Sequence, residues 1–224
     1  MKILMVTPYV TLKGHKEFMR NQTGFGYMVY DIAKAVANTE EVDLLATDTR
    51  GDAFISDRVR FLKRSWLLLL VSINTCLPLA SIFGIIKKYS EMQRGTKLRL
   101  FYYWLISGYI SNILKRGRYD IVHIHGCGFN TELWMQVCKR CGQKYVVTLH
   151  GLNSFSDTVK LEPAGKRYER DFLERVIGGE MPITVISTGM KRMIENTYGV
   201  KDCNNITVVC NSFSFSEANG GGVK

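Results

Sequence analysis

Short apolar runs alternate along the chain with longer stretches in which apolar residues recur every three or four positions. The runs lie at residues 2–6, 42–46, 58–62, 120–125, 144–150, 183–187 and 206–210. Several are apolar on consecutive positions (Ile121-Val122, Tyr145-Val146-Val147, Val185-Ile186), which predicts strands buried on both faces. The helical patterns fall between them, at 27–37, roughly 66–88, 98–115, 131–141, 166–177 and 189–198. Strands separated by helices predict βαβ units and a parallel sheet. The expected fold is a single Rossmann-like α/β domain over residues 1–211, with a mostly parallel sheet and helices on both faces. Residues 212–224 (SFSFSEANGGGVK) lack an apolar period and predict a flexible tail or the start of an interdomain linker.

One segment breaks the pattern. Residues 65–86 are 22 positions without a charge, flanked by Arg58, Arg60, Lys63 and Arg64 before and Lys87 and Lys88 after. The length is enough to span a bilayer, but Asn74, Thr75 and Pro78 interrupt its centre and both flanks are basic. The βα alternation also resumes afterwards, so a span would divide one sheet between two sides of a membrane. Two readings remain. One is a pair of buried or half-buried helices broken near Pro78; the other is a monotopic surface, apolar residues dipping into one leaflet and cations on anionic headgroups. The next helix allows both, since Lys97, Arg99, Lys115 and Arg116 bracket the aromatic run from Phe101 to Trp104.

Composition narrows the classes. With 46% hydrophobic and 22% charged residues over 224 positions, the chain is neither disordered nor a polytopic membrane protein. A net charge of +10 calls for an anionic partner, be it nucleic acid, nucleotide phosphate or anionic lipid. Nucleic acid is not expected, because the basic residues cluster around apolar runs and not along a polar stripe. Six cysteines are too few for a disulfide scaffold, and the start MKILMV runs directly into a strand, so a cytoplasmic setting is expected. Cys138 and Cys141 lack a second pair at zinc spacing and end a helix, which suits packing. No zinc site is expected, and no Asp-x-Asp triplet is present to hold another metal.

Candidate chemistry concentrates at strand ends. Gly24-Phe25-Gly26 precedes a helix, where backbone N–H groups and the helix dipole favour a phosphate. A dinucleotide fingerprint would follow the first strand directly, whereas seventeen residues (7–23) intervene here and Val29 replaces the third glycine. Asp48 stands at a tolerable distance for a ribose-binding acid. The long first loop is basic (Lys13, His15, Lys16, Arg20) and suits gripping a substrate. His125-Gly126 and His150-Gly151 each close a strand, the edge at which open α/β sheets bind ligands, so His125 and His150 are expected to face one crevice, with His123 in the packing.

Taken in order, the stretches KILMVTPY (2–9), GFGY (24–27), IAKAV (32–36), YDIVHIHG (119–126), YVVTLHG (145–151), ITVIS (183–187) and ITVVCN (206–211) resemble the N-terminal half of GT-B-fold glycosyltransferases of family four. That family is retaining and nucleotide-sugar-dependent, with two Rossmann-like domains about a cleft. The resemblance implies an acceptor-side domain whose Gly24, Phe25 and Gly26 approach the donor diphosphate. It makes His150 the active-site histidine against the donor sugar, and places His125, Gly126 and Asn153 on the acceptor side. Asn211 matches an asparagine of the family's Asn-Gly pair, with Ser212 replacing the glycine. The family's C-terminal donor domain has no counterpart here, so the chain is expected to be inactive alone. The implied partners are a nucleotide-diphosphate sugar as donor substrate and a glycan or lipid-linked acceptor, with no permanently bound cofactor or metal. An anionic membrane surface, at the inner face of a membrane, is a further expectation from the apolar segment. Two rivals from other classes are a simple Rossmann-type nucleotide-dependent enzyme using Gly24, Gly26 and Asp48, and a non-catalytic membrane-peripheral binding domain.

Overall fold

A computed structural model describes residues 1–19, 21–156 and 161–210; Arg20, Asn211, Ser212 and the expected tail lie outside the described residues. Eight strands form one sheet: β1 (Lys2–Thr7), β2 (Glu41–Ala46), β3 (Phe54–Ser56), β4 (Val59–Phe61), β5 (Ile121–His125), β6 (Tyr145–Leu149), β7 (Ile183–Val185) and β8 (Ile206–Val208). Their order is β3-β4-β2-β1-β5-β6-β7-β8, and every neighbouring pair is parallel except β3–β4. The helices are α1 (Gly24–Val36), α2 (Trp66–Leu70), α3 (Leu79–Lys88), α4 (Arg94–Gly117), α5 (Phe129–Arg140), α6 (Pro163–Ile177) and α7 (Thr188–Tyr198).

The central strand shows why the sheet is buried on both sides. Along β1, Leu4 and Val6 enter a core built with α4, α5 and α6, whereas Ile3 and Met5 enter a second core with α1. Alternate residues of a strand point to opposite faces, so a continuous apolar run needs cover on both. α1 supplies it on one side, and residues of α2 to α7 on the other.

The sequence expectation missed one strand. β3 pairs antiparallel with β4 through a tight turn at Asp57 and Arg58, both in the left-handed region (φ 47° and 65°). Two consecutive positive φ values make a primed hairpin turn, for which Asp-Arg is a poor sequence signal. Tyr30 holds this turn by donating its hydroxyl to Asp57 Oδ2 (2.7 Å).

The uncharged segment is two helices. α2 is followed by a 3-10 turn at Ile73–Thr75, and Pro78 precedes α3. Leu69 and Ile82 are buried against α4, yet Trp66, Leu67, Leu70, Val71, Leu79 and Phe83 remain exposed. Among the described residues, no helix is long and apolar enough to cross a membrane.

Candidate active site

The sheet order reverses between β1 and its two neighbours, β2 on one side and β5 on the other. Loops leave in opposite directions there and open a crevice at the strands' carboxyl ends. Phe25, His125, Gly126 and His150, four of the residues flagged from the sequence, meet there. His123 and His125 lie on one face of β5 with ring centres 4.0 Å apart, and His150 follows β6. His123 Nε2 meets Thr148 Oγ1 at 2.6 Å, so it belongs to the sheet's packing as expected. His125 is fully buried beneath His150, with Nδ1 3.0 Å from His150 Nε2, and it reaches the crevice only through that ring.

Burial pulls the imidazoles of His123 and His150 down to about 4 and holds His125 well below the ordinary histidine range. All three are therefore neutral at pH 7, and their tautomers follow from their partners. His150 Nδ1 faces Met28 Sδ at 3.1 Å. A thioether only accepts, so this nitrogen carries the hydrogen. Nε2 then accepts from His125 Nδ1–H, leaving His125 Nε2 as a bare buried nitrogen with no hydrogen-bond partner among the described residues. Sulfur is a weak acceptor, so a ligand oxygen replacing it would receive a stronger bond from the same N–H.

The start of α1 forms the opposite wall. Thr23 caps the helix by accepting from Gly26 N–H (3.3 Å). Gly24 is exposed, and a side chain there would meet nothing within 4 Å. Gly26 faces inward, where an added Cβ would lie 2.3 Å from Thr11 Oγ1 and 2.9 Å from Thr11 N. The two glycines thus differ in purpose: Gly24 leaves the helix start open, and Gly26 lets the first loop lie against it. Phe25 between them packs edge-on against His150 (5.0 Å between centres) and lies beside Gly126. Gly126 donates its N–H to the Thr148 carbonyl (2.9 Å). Asn153 sits in the 3-10 turn Asn153–Phe155, whose backbone donates to the buried Glu169 carboxylate from Asn153 N (3.2 Å) and Ser154 N (2.8 Å).

A cavity of about 480 Å³ adjoins this corner, and sequence reading found only its edges. Its walls are Tyr9, Val10, Glu17, Phe18 and Asn21 from the first loop, Asp48, Thr49 and Arg50 after β2, and Arg64 and Tyr102. Tyr9 joins it to the histidine corner through Phe25 (5.3 Å between centres). Arg64 is only 5% exposed; its guanidinium donates to the Tyr102 hydroxyl and lies 5.2 Å from that ring's centre and 5.6 Å from Trp66. Asp48 accepts from Thr47 Oγ1 (3.2 Å) and Tyr103 OH (3.4 Å), and desolvation raises its carboxyl above the usual range. It faces this cavity rather than a glycine turn. Guanidinium donors, carboxylate acceptors, an amide and aromatic faces together suit a polyhydroxylated ligand. The expectation of a gripping first loop was a partial signal: Glu17 and Asn21 line the cavity, whereas Lys13, His15 and Lys16 do not. Arg64 and Tyr102 carried no signal, because only the fold brings them together. Cys138 is buried at the end of α5, where desolvation pushes its thiol up to about 12, as a packing residue requires.

Comparisons with known proteins bear on this geometry. No curated protein matches the chain's sequence. Among solved structures, a sucrose-phosphate synthase from Thermosynechococcus elongatus superposes with a TM-score of 0.55 at 12% identity, over 94% of this chain and 48% of that one. An alpha,alpha-trehalose-phosphate synthase (UDP-forming) from Burkholderia vietnamiensis gives 0.45 at 9% identity, over 93% and 48%. The chain thus spans about half the length of either. Residues 23–215 match the sequence profile of Glycosyltransferase Family 4. The chain belongs to that family, and its fold is that of one half of a GT-B glycosyltransferase.

Proposed function

We propose that this chain is the acceptor-side half of a retaining glycosyltransferase, which moves a sugar from a nucleotide-diphosphate donor to a glycan or lipid-linked acceptor. One observation carries the reading: a helix start with open N–H groups, a neutral histidine and a polar cavity share one sheet edge, in a chain of this family. The donor diphosphate approaches the start of α1 at Gly24, Phe25 and Gly26, accepting from the Gly24 and Phe25 N–H groups while the Gly26 N–H stays on its Thr23 cap. The dipole of α1 offsets the charge that grows as the anomeric carbon–oxygen bond breaks. An acceptor hydroxyl bonds to that carbon and its proton leaves with the diphosphate. His150 turns its Nδ1–H from Met28 to a donor-sugar hydroxyl, held in its tautomer by His125, and acts as a positioning group. The acceptor occupies the Tyr9–Arg64 cavity, with Gly126 and Asn153 on its side of the crevice. A second α/β unit supplies the remaining donor contacts, and no step needs a metal. The chain alone then binds without turning over.

Amide NMR of the labelled chain tests this. Titration with UDP, GDP or ADP is expected to shift Gly24, Phe25 and Gly26, and none of the matching nucleotide sugars is consumed. Tighter binding of NAD than of any nucleoside diphosphate, with shifts centred on Asp48, would overturn the reading in favour of a nicotinamide enzyme.

A further inference from the structure

Thirteen large hydrophobic side chains are exposed among the described residues, and nine of them fall between Trp66 and Phe101. We propose that the face they form, on α2, α3 and the first two turns of α4, docks onto an anionic lipid bilayer.

The residues make one surface. Trp66 packs edge-on against Tyr102 (5.9 Å between centres) and Phe83 against Phe101 (6.3 Å), so α2 and α3 both meet α4 along this side. On α3, Leu79, Phe83 and Lys87 follow one another at four-residue steps and are all exposed; on α4, Arg94, Leu98 and Phe101 do the same at steps of four and three. Such steps place side chains on one helix face. Each apolar row therefore ends in a cation, the order needed to put carbon among acyl chains and charge among headgroups. Leu67, Val71 and Leu98 are 69%, 64% and 72% exposed, more than chance leaves on one face of a folded chain.

Charge selects the partner. Residues 58–118 contain 12 of the 30 Lys and Arg but one of the 20 Asp and Glu. Arg60, Lys63 and Lys88 pair with Asp43, Asp52 and Asp171, and Lys115, Arg116 and Arg118 lie at the far end of α4. That leaves Lys87, Arg94, Lys97 and Arg99 as the cations beside the apolar rows. A second copy would bring like charge against like, whereas an anionic bilayer brings both carbon and counter-charge. The start of α4 sharpens this. Its first turn holds no acid, and Arg94, Lys97 and Arg99 add cations to the positive end of its dipole. Glu162, which accepts from the Gln93 N–H there (3.0 Å), offsets part of that charge and leaves the rest to an external anion.

Location ties the face to the cavity. α4 feeds β5 and therefore runs against the strands, which puts its start at the sheet's carboxyl edge. Trp66 lies against Arg64 and Arg50 (5.6 and 4.9 Å from ring centre), two residues of the cavity wall. If the cavity takes the acceptor, as the proposed function has it, that acceptor enters from the bilayer as a lipid-linked molecule.

Flotation of the 224-residue chain with vesicles separates the possibilities. The chain is expected to float with vesicles containing phosphatidylglycerol and not with pure phosphatidylcholine, and to be released at about 0.5 M salt, where the screening length falls to a few ångströms. Leu67→Asn with Leu98→Asn is expected to weaken binding at least tenfold, and Lys87→Gln or Arg94→Gln about fivefold each. All four positions are exposed, so the thermal melt should stay unchanged. Equal flotation with neutral vesicles, or binding untouched by these variants, would overturn the proposal. So would absence of flotation with a concentration-dependent dimer that the double asparagine variant abolishes, which would assign the face to a second copy. Neither result depends on nucleotide binding, so the proposed activity stands or falls apart from it.

Discussion

His125 lies between two other imidazoles, and burial keeps all three uncharged at a pH where a free histidine begins to take a proton. The consequence for stability has a definite sign. In the unfolded chain these groups bind protons near pH 6.5, while in the folded chain His123 and His150 do so only at about 4. Between those values the unfolded state holds more protons, so stability is complete above about pH 6.5 and falls as the pH drops towards 4. The effect is on the order of 2 kcal/mol for each of these two at pH 5. Thermal melts at pH 7.5, 6 and 5 should therefore descend, and His150→Gln should flatten the slope; a melting temperature constant over this range would contradict the buried neutral row. The glycines give a second contrast at this scale. Gly26→Ala drives a methyl group into Thr11 and should cost about 1–3 kcal/mol. Gly24→Ala meets open space and should change stability by no more than about 0.5 kcal/mol. Urea titrations of the two variants measure the difference.

Secondary-structure elements were legible where burial dictated them and illegible where conformation did. Strands β1, β5 and β6 announce themselves by consecutive apolar residues because both their faces are covered. Helix α4 begins four residues before its apolar period, since its first turn (Arg94 to Lys97) places no buried residue in the core, whereas α6 begins three residues early at Pro163, with the single small Ala164 already buried. The β3–β4 hairpin escaped notice because its turn places an aspartate and an arginine at positive φ. That choice has a cost. Arg58→Gly removes the side-chain strain, and even after the added freedom of the unfolded chain it should stabilise the protein by about 0.5–1 kcal/mol. Loss of stability in a urea titration would mean that the Arg58 side chain contributes more than its backbone costs. A second joint is equally specific. The 3-10 turn after α2 crosses α4 at Gly108, where an added Cβ would lie 2.4 Å from the Ser72 carbonyl oxygen. Thr75 fastens the crossing by donating its hydroxyl to the Gly108 carbonyl (2.9 Å). Gly108→Ala should cost about 2 kcal/mol or more and loosen α2, which calorimetry would register as a lower melting temperature.

At the scale of the molecule, the candidate site was half visible. Gly24, Phe25, Gly26, His125 and His150 could be named because each closes a strand or opens a helix, positions that sequence periodicity locates. The cavity could not, since its walls come from residues 9 to 102 and only the strand order sets them side by side. That order also makes the chain one cooperative body. β1 contributes Leu4 and Val6 to one core and Ile3 and Met5 to the other, so neither core can melt while the other keeps its central strand. Fluorescence of the buried Trp134 in a Trp66→Phe, Trp104→Phe background, which reports on one core, should therefore change together with far-UV circular dichroism, which reports on both. Two separated transitions would show that the cores are independent. The same central strand has a consequence in time. β1 pairs with β5, whose first residue is Ile121, so one long edge of the earliest strand waits for more than a hundred residues to be translated. At ribosomal speed that wait is on the order of 10 s. During it the nascent chain displays an open strand edge and the apolar run of α2 and α3 together, which makes its synthesis, more than its folded state, the stage at which a chaperone or a nearby surface governs its yield.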